Sequence, residues 1–360
     1  MPRIFGKDYS REDLEKRTGD LAQFAGIRSA ELSDGVERGV RTLDFRTGTG
    51  FAFSILPDRC MDISFAEYNG AALCWRSMTG DAHPAYYDAD GINWLRTFQG
   101  GMLATCGMMN IGSDSEDEGE HFGVHGRIGA APARNVQWDA EWQGDDYVLW
   151  AQGKMREGRI FGENVSLARR ISTSMGSNRL LIRDVIINHG YDPTPLMFLY
   201  HFNCGFPLLD ETSEVLVNSS VTPRDEEAER GVSEWNRGSA PIPLYREQVF
   251  QHKVKAGPDG NAVVALVNRE FNGGHGLGLA IRFRPYELGY LWQWRQVGEG
   301  AYVMGLEPGN SHVMGRGEER RQGRLPFLEA GGELHHHLQL EVLTGQEDIE
   351  RVEKEVGQKS

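Results

Sequence analysis

The stretch Arg179-Leu-Leu-Ile-Arg-Asp-Val-Ile-Ile187 is typical of the runs that decide the fold of this chain. It is short and rich in aliphatic and β-branched residues, as expected of a buried β-strand rather than a helix. Gly and Pro residues separate similar runs at the spacing of antiparallel sheets, and these runs are residues 50–56, 146–151, 262–267, 277–283 and 335–343. Arg183 and Asp184 interrupt the quoted run, so we expect one polar contact inside the sheet or at its edge.

Helical periodicity is confined to the two ends of the chain. Ser10 precedes an acidic first turn and is a good N-cap, while Ile349, Val352 and Val356 recur on one face near the other end. A parallel α/β fold would need helices of about a dozen residues between its strands, and the sequence lacks them. We therefore predict a single all-β domain over residues 21–344, with helical segments at residues 1–20 and 345–360.

Composition limits the class of protein and its partners. The 360 residues are 39% hydrophobic and 25% charged, which is typical of a folded soluble protein. A formal net charge of −14 without a Lys/Arg stripe argues against a nucleic-acid partner. No stretch resembles a signal peptide or a membrane span. We predict a cytoplasmic protein whose separated cysteines are reduced, and these are Cys60, Cys74, Cys106 and Cys204.

One acidic segment has two interpretations. Residues 113–120 contain five acidic side chains among eight. The favoured interpretation is a solvated loop. A cation-binding or lid role stays open.

The segment Leu306-Glu307-Pro308-Gly309-Asn310 carries the first candidate catalytic group. Residues 302–306 are predicted to form a strand that ends in a turn at residues 307–309. Proline restricts the preceding residue to an extended conformation, so Glu307 would be held stiffly at the end of the sheet. A general base benefits from such preorganisation, although an ordinary strand-end carboxylate is the alternative.

Two histidine segments supply the other ionisable groups. His125 lies between Gly123 and Gly126, and Arg127 would share its face if the segment is extended. His201 follows an apolar strand, and Asn203 two residues later would point the same way, where its amide could fix a hydroxyl or the imidazole. A turn histidine and a core histidine are the alternatives. A carboxylate and imidazoles poised near neutral pH can move protons at two places on one small molecule.

Further polar and aromatic residues could bind a ligand. Arg59 could clamp hydroxyls, and Asp62 could orient it or bind a sugar, with a salt bridge between these neighbours as the alternative. Trp292 and Trp294 share a face, and an indole can stack on a sugar ring, although we expect core packing for at least one of them. Trp294 is the candidate binding residue.

These segments together resemble the galactose mutarotase (aldose 1-epimerase) superfamily, in a divergent branch of aldose 1-epimerase-like proteins. The resemblance is carried by strings that span most of the chain, namely residues 56–63, 100–107, 124–127, 200–205 and 305–310. It implies a β-supersandwich with short terminal helices and a sugar-binding cleft. It also implies that Glu307 is the general base, that His201 is the acid that protonates the ring oxygen, and that His125 assists there. Arg59 and Asn203 would hold hydroxyls.

The expected activity is therefore anomer interconversion of a carbohydrate by ring opening and reclosure, without a metal or other cofactor. The family also has an acidic sugar ligand on a later strand, for which Asp225 or Asp62 are the candidates here. Arg127 beside His125 would suit a charged or modified sugar. A non-catalytic carbohydrate-binding or sensing protein is the alternative, and a metal site of two His and one Glu is a third. The assembly stays open, with a homodimer as one option.

Overall fold

The computed structural model describes residues 1–357, and residues 358–360, the end of the predicted C-terminal segment, lie outside this range. Short strands follow one another along the chain. They are β1 Arg3–Ile4, β2 Lys7–Asp8, β3 Gly26–Glu31, β4 Arg41–Arg46, β5 Phe51–Leu56, β6 Asp62–Tyr68, β7 Ala71–Ala72, β8 Ala104–Met108, β9 Ser115–Asp117, β10 Glu120–Phe122, β11 Arg134–Gln143, β12 Asp146–Gly158, β13 Asn164–Ser174, β14 Arg179–Asn188, β15 Thr194–Pro195, β16 Met197–Gly205, β17 Ser213–Val217, β18 Ser219–Pro223, β19 Gln248–Val254, β20 Ala262–Asn268, β21 Leu277–Phe283, β22 Tyr290–Val297, β23 Tyr302–Gly309, β24 Phe327–Leu328 and β25 Glu333–Leu343.

The helices are short. The α-helices are α1 Arg11–Glu15, α2 Glu226–Arg230, α3 Phe271–Gly274, α4 Arg316–Arg321 and α5 Gln346–Glu355, and 3-10 turns lie at Leu21–Gln23, Gly35–Glu37, Pro84–Tyr86, Asn93–Arg96, Ile128–Ala130 and Val232–Glu234. Ser10 caps α1 through a reciprocal capping box with Asp13, and α5 buries Ile349 and Val352. Helices therefore form at both predicted ends. None of the helices among the described residues is long and apolar enough to cross a bilayer.

Three antiparallel sheets contain most of the strands. Their orders are β11-β12-β13-β14-β25-β21-β20-β17, β18-β19-β22-β23-β16-β8 and β3-β4-β5-β6-β7. Side chains from all three sheets meet in one hydrophobic core, among them Phe53, Leu167 and Phe198. The predicted all-β sandwich is confirmed.

Alternation along β14 explains how the sheet buries one face. Leu180, Ile182 and Ile186 are fully buried, and the alternate residues Leu181, Arg183 and Val185 are more exposed, as the two-residue period of a strand requires. Asp184 occupies a position on the same buried face and is 1% exposed. The polar contact expected for this run therefore lies inside the core.

That contact is an ion cluster that joins the three sheets. Arg169 on β13 is fully buried, and its guanidinium donates to both carboxylate oxygens of Asp184 and to Asp62 on β6. It also donates to the hydroxyl of Thr105 on β8. The hydroxyl of Tyr200 on β16 donates to Asp184 at 2.6 Å. The cluster thus fixes how β8 and β16 lie over the eight-stranded sheet.

The acidic segment is exposed to solvent at Asp114, Glu116 and Glu118, as expected, but it is not a loop. It forms most of the β9–β10 hairpin, and Asp117 accepts hydrogen bonds from Arg316 and Arg320 of α4. Glu118 pairs with Arg320, and Glu120 pairs with Arg159. Three of the five acidic side chains, Asp117, Glu118 and Glu120, therefore pair with arginines, and the hairpin packs against α4.

Candidate active site

The six-stranded sheet places Glu307 opposite His201. On β16 and β23, the flanking pairs Leu199↔Gly309 and Phe202↔Leu306 put the two residues directly across from each other. Their side chains project from the same face, and His201 Nε2 lies 3.3 Å from Glu307 Oε1. Cross-strand neighbours on one face are normally this close, so strand register alone brings the carboxyl and the imidazole together.

Both residues lie inside strands, which corrects the predicted boundaries. β23 continues through Glu307 and Pro308 to Gly309, with Pro308 opposite Leu291 of β22. His201 is in the middle of β16 rather than after its end. The predicted turn at residues 307–309 is therefore wrong, because the extended backbone before a proline is compatible with a continuing strand.

Gly305 makes room for the pair. A Cβ atom at this position would lie 2.5 Å from Glu307 Oε1, 2.9 Å from Cβ of Trp294 and 3.3 Å from Cε1 of His201. Any side chain would therefore displace the carboxyl or the indole. The strand needs glycine here.

The third ionisable group, His125, is held by a turn. Its φ is +57°, and its backbone N–H and carbonyl bond to Gly112 and Gly107. The N–H of Gly112 also donates to His125 Nδ1 at 3.3 Å. In the neutral ring the proton is then on Nε2. The rings of His125 and His201 are 5.6 Å apart.

These three groups line one cavity of about 230 Å³. This is smaller than the roughly 300–1,000 Å³ of sites for drug-sized ligands. Aromatic rings form much of the wall: Trp294 lies 5.5 Å and Phe98 5.4 Å from the ring of His201, and Trp94 lies 4.7 Å from that of His125. The cavity suits a small ring with apolar faces and polar edges.

Burial controls the protonation of the site. Glu307 is 3% exposed, and burial, followed by repulsion from Glu247, raises its pKa to about 8. Burial and then the neighbouring His125 hold the pKa of His201 well below its ordinary value. Burial lowers the pKa of His125 to about 4. At neutral pH the central pair, Glu307 and His201, therefore carries one titratable proton, which rests on Glu307.

The central pair has unused hydrogen-bonding capacity. Glu307 Oε1 and His201 Nδ1 are buried and have no hydrogen-bond partner among the described residues. Buried polar atoms without partners are rare and costly. Such atoms at the wall of a cavity are poised for a ligand that supplies the missing partners.

An ion pair at the rim provides an acidic group that the sequence did not reveal. Glu247 accepts from the indole N–H of Trp294 at 2.8 Å and pairs with Arg224 at 3.0 Å. Arg224 also pairs with Asp225. Asp225 accepts from the Ala228 N–H as the N-cap of α2, and it is absent from the cavity wall among the described residues. Of the two acids, Glu247 lines the cavity among the described residues and Asp225 does not.

Arg59 is placed away from the cavity, contrary to the expected clamp on sugar hydroxyls. Arg59 is 5% exposed, and its guanidinium donates to the carbonyls of Ala82 and Thr97 and to Gln99 Oε1. It does not pair with Asp62 either. Its contacts hold the segment that carries Trp94 and Phe98, so it acts on the cavity wall from behind.

Asp62 and Asn203 are also occupied by the protein. Asp62 is fully buried and accepts from Arg169 and from the backbone N–H of Thr105. The amide of Asn203 donates to the carbonyls of Gly101 and His201. Neither residue lines the cavity among the described residues. Their expected contacts with a ligand are replaced by contacts that fix β8 and β16.

Arg127 faces a different cavity from His125. The segment is not extended, because His125 and Gly126 both have positive φ, +57° and +67°. The two-residue alternation that would put Arg127 beside His125 is therefore lost. Trp292 is 2% exposed and packs in the core, whereas Trp294 lines the cavity as expected.

The described residues contain no group of three or more His, Cys, Asp or Glu side chains arranged to hold a metal ion. The three side chains of the alternative metal site, His125, His201 and Glu307, are not counted as such a group. All four cysteines are buried and unpaired.

Solved structures share this fold. A candidate aldose 1-epimerase from Klebsiella pneumoniae is 25% identical, with a TM-score of 0.86 over 93% of this chain and 88% of that one. A galactose mutarotase-like protein from Clostridium acetobutylicum is 12% identical, with a TM-score of 0.61 over 89% and 99% of the two chains. Galactose 1-epimerase from Lactobacillus acidophilus is 9% identical, with a TM-score of 0.56 over 89% and 100%. The resemblance to galactose mutarotase-like proteins is confirmed.

Sequence comparison adds a family. No curated protein matches the sequence. A family model described as a domain of unknown function, DUF4432, matches residues 37–342. That range contains every residue of the candidate site, and the chain therefore belongs to the DUF4432 family.

Proposed function

We propose that this chain is an aldose 1-epimerase-like enzyme that interconverts the anomers of a small neutral sugar by acid/base catalysis. The observation that carries the proposal is the 3.3 Å contact between His201 Nε2 and Glu307 Oε1 at the wall of a small aromatic cavity. The reaction moves one proton off the anomeric hydroxyl and another onto the ring oxygen. Since both oxygens are bonded to one carbon, a carboxyl and an imidazole this close can serve both.

The pair of Glu307 and His201 ends the ring opening with the same number of protons with which it began. Transfer of the pair's proton from Glu307 to His201 gives the reactive form, in which the imidazolium passes that proton to the ring oxygen as the bond from that oxygen to the anomeric carbon breaks. The carboxylate takes the proton of the anomeric hydroxyl, so an aldehyde and a neutral pair result. Rotation about the first carbon–carbon bond and the reverse transfers close the ring as the other anomer.

His125 has a fixed role in this scheme. Its Nδ1 accepts from the Gly112 N–H, so Nε2 is a donor. Its lowered pKa keeps the ring neutral. His125 would therefore hold the ring oxygen with a hydrogen bond beside His201.

The charges at the rim favour a neutral sugar. Arg224 pairs with both Glu247 and Asp225, so the rim carries one more negative than positive charge. Arg127, the residue that suggested a charged sugar, does not line this cavity among the described residues. An anionic substituent would meet net negative charge. Glu247 would accept hydrogen bonds from hydroxyls, and Trp294 would pack on an apolar face of the ring.

The test is anomer exchange. Freshly dissolved single anomers of neutral, uronic and sulfonated sugars are mixed with the protein, and exchange is followed by proton NMR. We expect the neutral sugars to exchange fastest, and we expect Glu307→Gln to slow exchange by about 10²–10⁴-fold. Sugar binding by the native chain without faster exchange on any sugar would instead identify a carbohydrate-binding protein.

A further inference from the structure

A second cavity lies behind the segment that carries His125. Its volume is about 170 Å³, and Glu157 and Arg127 are among its lining residues. It has no lining residue in common with the candidate active site. Residues 123–127 separate the two, because His125 lines one cavity and Gly126 and Arg127 line the other.

Glu157 is a buried carboxyl with an unused oxygen. The residue is 6% exposed. Its Oε2 accepts from the backbone N–H of Met108 at 3.2 Å, and Oε1 has no hydrogen-bond partner among the described residues. Burial raises the pKa of Glu157 to about 7. The carboxyl thus lacks the cation that usually accompanies a buried acid.

The other acidic groups of this cavity already have partners. Glu120 and Glu163 both pair with Arg159. The imidazole of His121 lies 3.6 Å from Asp114 and 3.8 Å from Asp90. Glu157 is therefore the acid of this cavity that a ligand can still neutralise.

Arg127 provides the complementary charge. It is exposed, and it forms no ion pair with any carboxylate in the described part of the chain. Its charge lies close enough to affect both Glu157 and the hydroxyl of Tyr87, and that hydroxyl donates to the carbonyl of Gly126. An unpaired guanidinium can bind a carboxylate with two parallel hydrogen bonds.

We infer that this cavity is a binding site for a small zwitterion of the α-amino-acid type, with its ammonium on Glu157 and its carboxylate on Arg127. The two groups do not pair with each other, so each is free for an opposite charge on the ligand. The volume limits the ligand to a few non-hydrogen atoms beyond these two groups. The inference goes beyond the proposed function and does not depend on it.

Isothermal titration calorimetry of the full chain at pH 8 with glycine, L-alanine and L-serine tests the inference. Ethanolamine and acetate are the matched probes, because the first lacks the carboxylate and the second lacks the ammonium. We expect saturable binding of at least one amino acid, and neither matched probe should bind as tightly. Glu157→Gln, which can still accept from Met108, and Arg127→Ala, at an exposed position, should each weaken binding at least about tenfold.

Two results would overturn the site. One is the lack of saturable binding of every amino acid tested up to millimolar concentrations. The other is binding that neither variant weakens, which would place the ligand elsewhere. Glu307→Gln keeps the second cavity intact and should bind as the native chain does, so a failure of the epimerase proposal leaves this measurement unaffected.

Discussion

Arg169→Met should destabilise the fold strongly. The side chain of Arg169 is fully buried, and its guanidinium makes three hydrogen bonds to Asp184, one to Asp62, one to the Thr105 hydroxyl and one to the Cys60 carbonyl. Methionine fills much of the space but leaves two carboxylates without their cation. Removing one partner of a buried ion pair typically costs about 3–5 kcal/mol. Since domains of this kind are stable by about 5–15 kcal/mol, the variant should fold but should unfold at a lower urea concentration than the native chain.

The measurement is equilibrium unfolding in urea, followed by tryptophan fluorescence. Arg230→Met is the matched control, because Arg230 pairs with Glu227 on the surface of α2 with 68% of its side chain exposed. An exposed pair of this kind contributes less than about 1 kcal/mol. If Arg169→Met lowers the free energy of unfolding by no more than the control does, the reasoning is refuted.

The pH dependence of this loss of unfolding free energy gives an independent check. Burial raises the pKa of Asp62 above its ordinary value, although Arg169 lowers it. Without Arg169 this pKa rises further above that of the unfolded chain. A raised folded-state pKa gives stability that is present below the unfolded pKa and is lost as the pH rises. The loss of unfolding free energy caused by Arg169→Met should therefore be smaller at pH 5 than at pH 8. A loss that is constant over this range would show that a carboxylate left without its cation is not the cause.

Three further predictions concern the site. Above about pH 8 the pair of Glu307 and His201 loses its proton, so kcat/KM for anomer exchange should fall about tenfold per pH unit. If kcat/KM, measured by NMR, stays constant up to about pH 9.5, the reaction does not use that proton. Glu247→Gln should raise KM about tenfold and leave kcat nearly unchanged, because it weakens an acceptor at the rim; a loss confined to kcat in steady-state kinetics would assign Glu247 to the chemistry instead. Gly126→Ala should destabilise the chain in thermal unfolding and impair exchange, because its Cβ would lie 2.3 Å from the Gly107 carbonyl oxygen. Gly144→Ala, with a similar φ of +63° but no neighbour within 4 Å, should cost only about 1–2 kcal/mol, and equal losses for the two would show that the close contact is unimportant.

The sequence was sufficient for the fold because the strands alternate. In β14, the buried positions Leu180, Ile182 and Ile186 follow a two-residue period that a helix could not satisfy. Asp184 lies on the same buried face, whereas the sequence left its contact open between the interior and the edge of the sheet. Strand boundaries were less accurate: Glu307 and His201 were both placed at strand ends, because the proline and glycines nearby resemble turn signals while strand pairing overrides them.

The direction in which a side chain points could not be predicted from the sequence where the chain forms a loop. The expectation that Arg127 shares a face with His125 assumed an extended segment, and two positive φ angles invalidate it. For Glu247 there was no local signal at all. It reaches the cavity because β19 lies beside β22, which carries Trp294, in the sheet. Pairing between strands that are distant in sequence is a property of the folded chain.

Arg59 shows how a motif can be matched by a residue that does not line the cavity. A buried guanidinium must have partners for its donors, and in this chain backbone carbonyls at residues 82 and 97 and the Gln99 amide oxygen supply them. The segment held in this way carries Trp94 and Phe98, which form one wall of the cavity. Arg59 can thus be needed for the shape of the site without binding a hydroxyl. For the same reason, resemblance at a motif identifies residues that matter to a site, and only the contacts of each side chain distinguish those that meet the ligand from those that hold the wall.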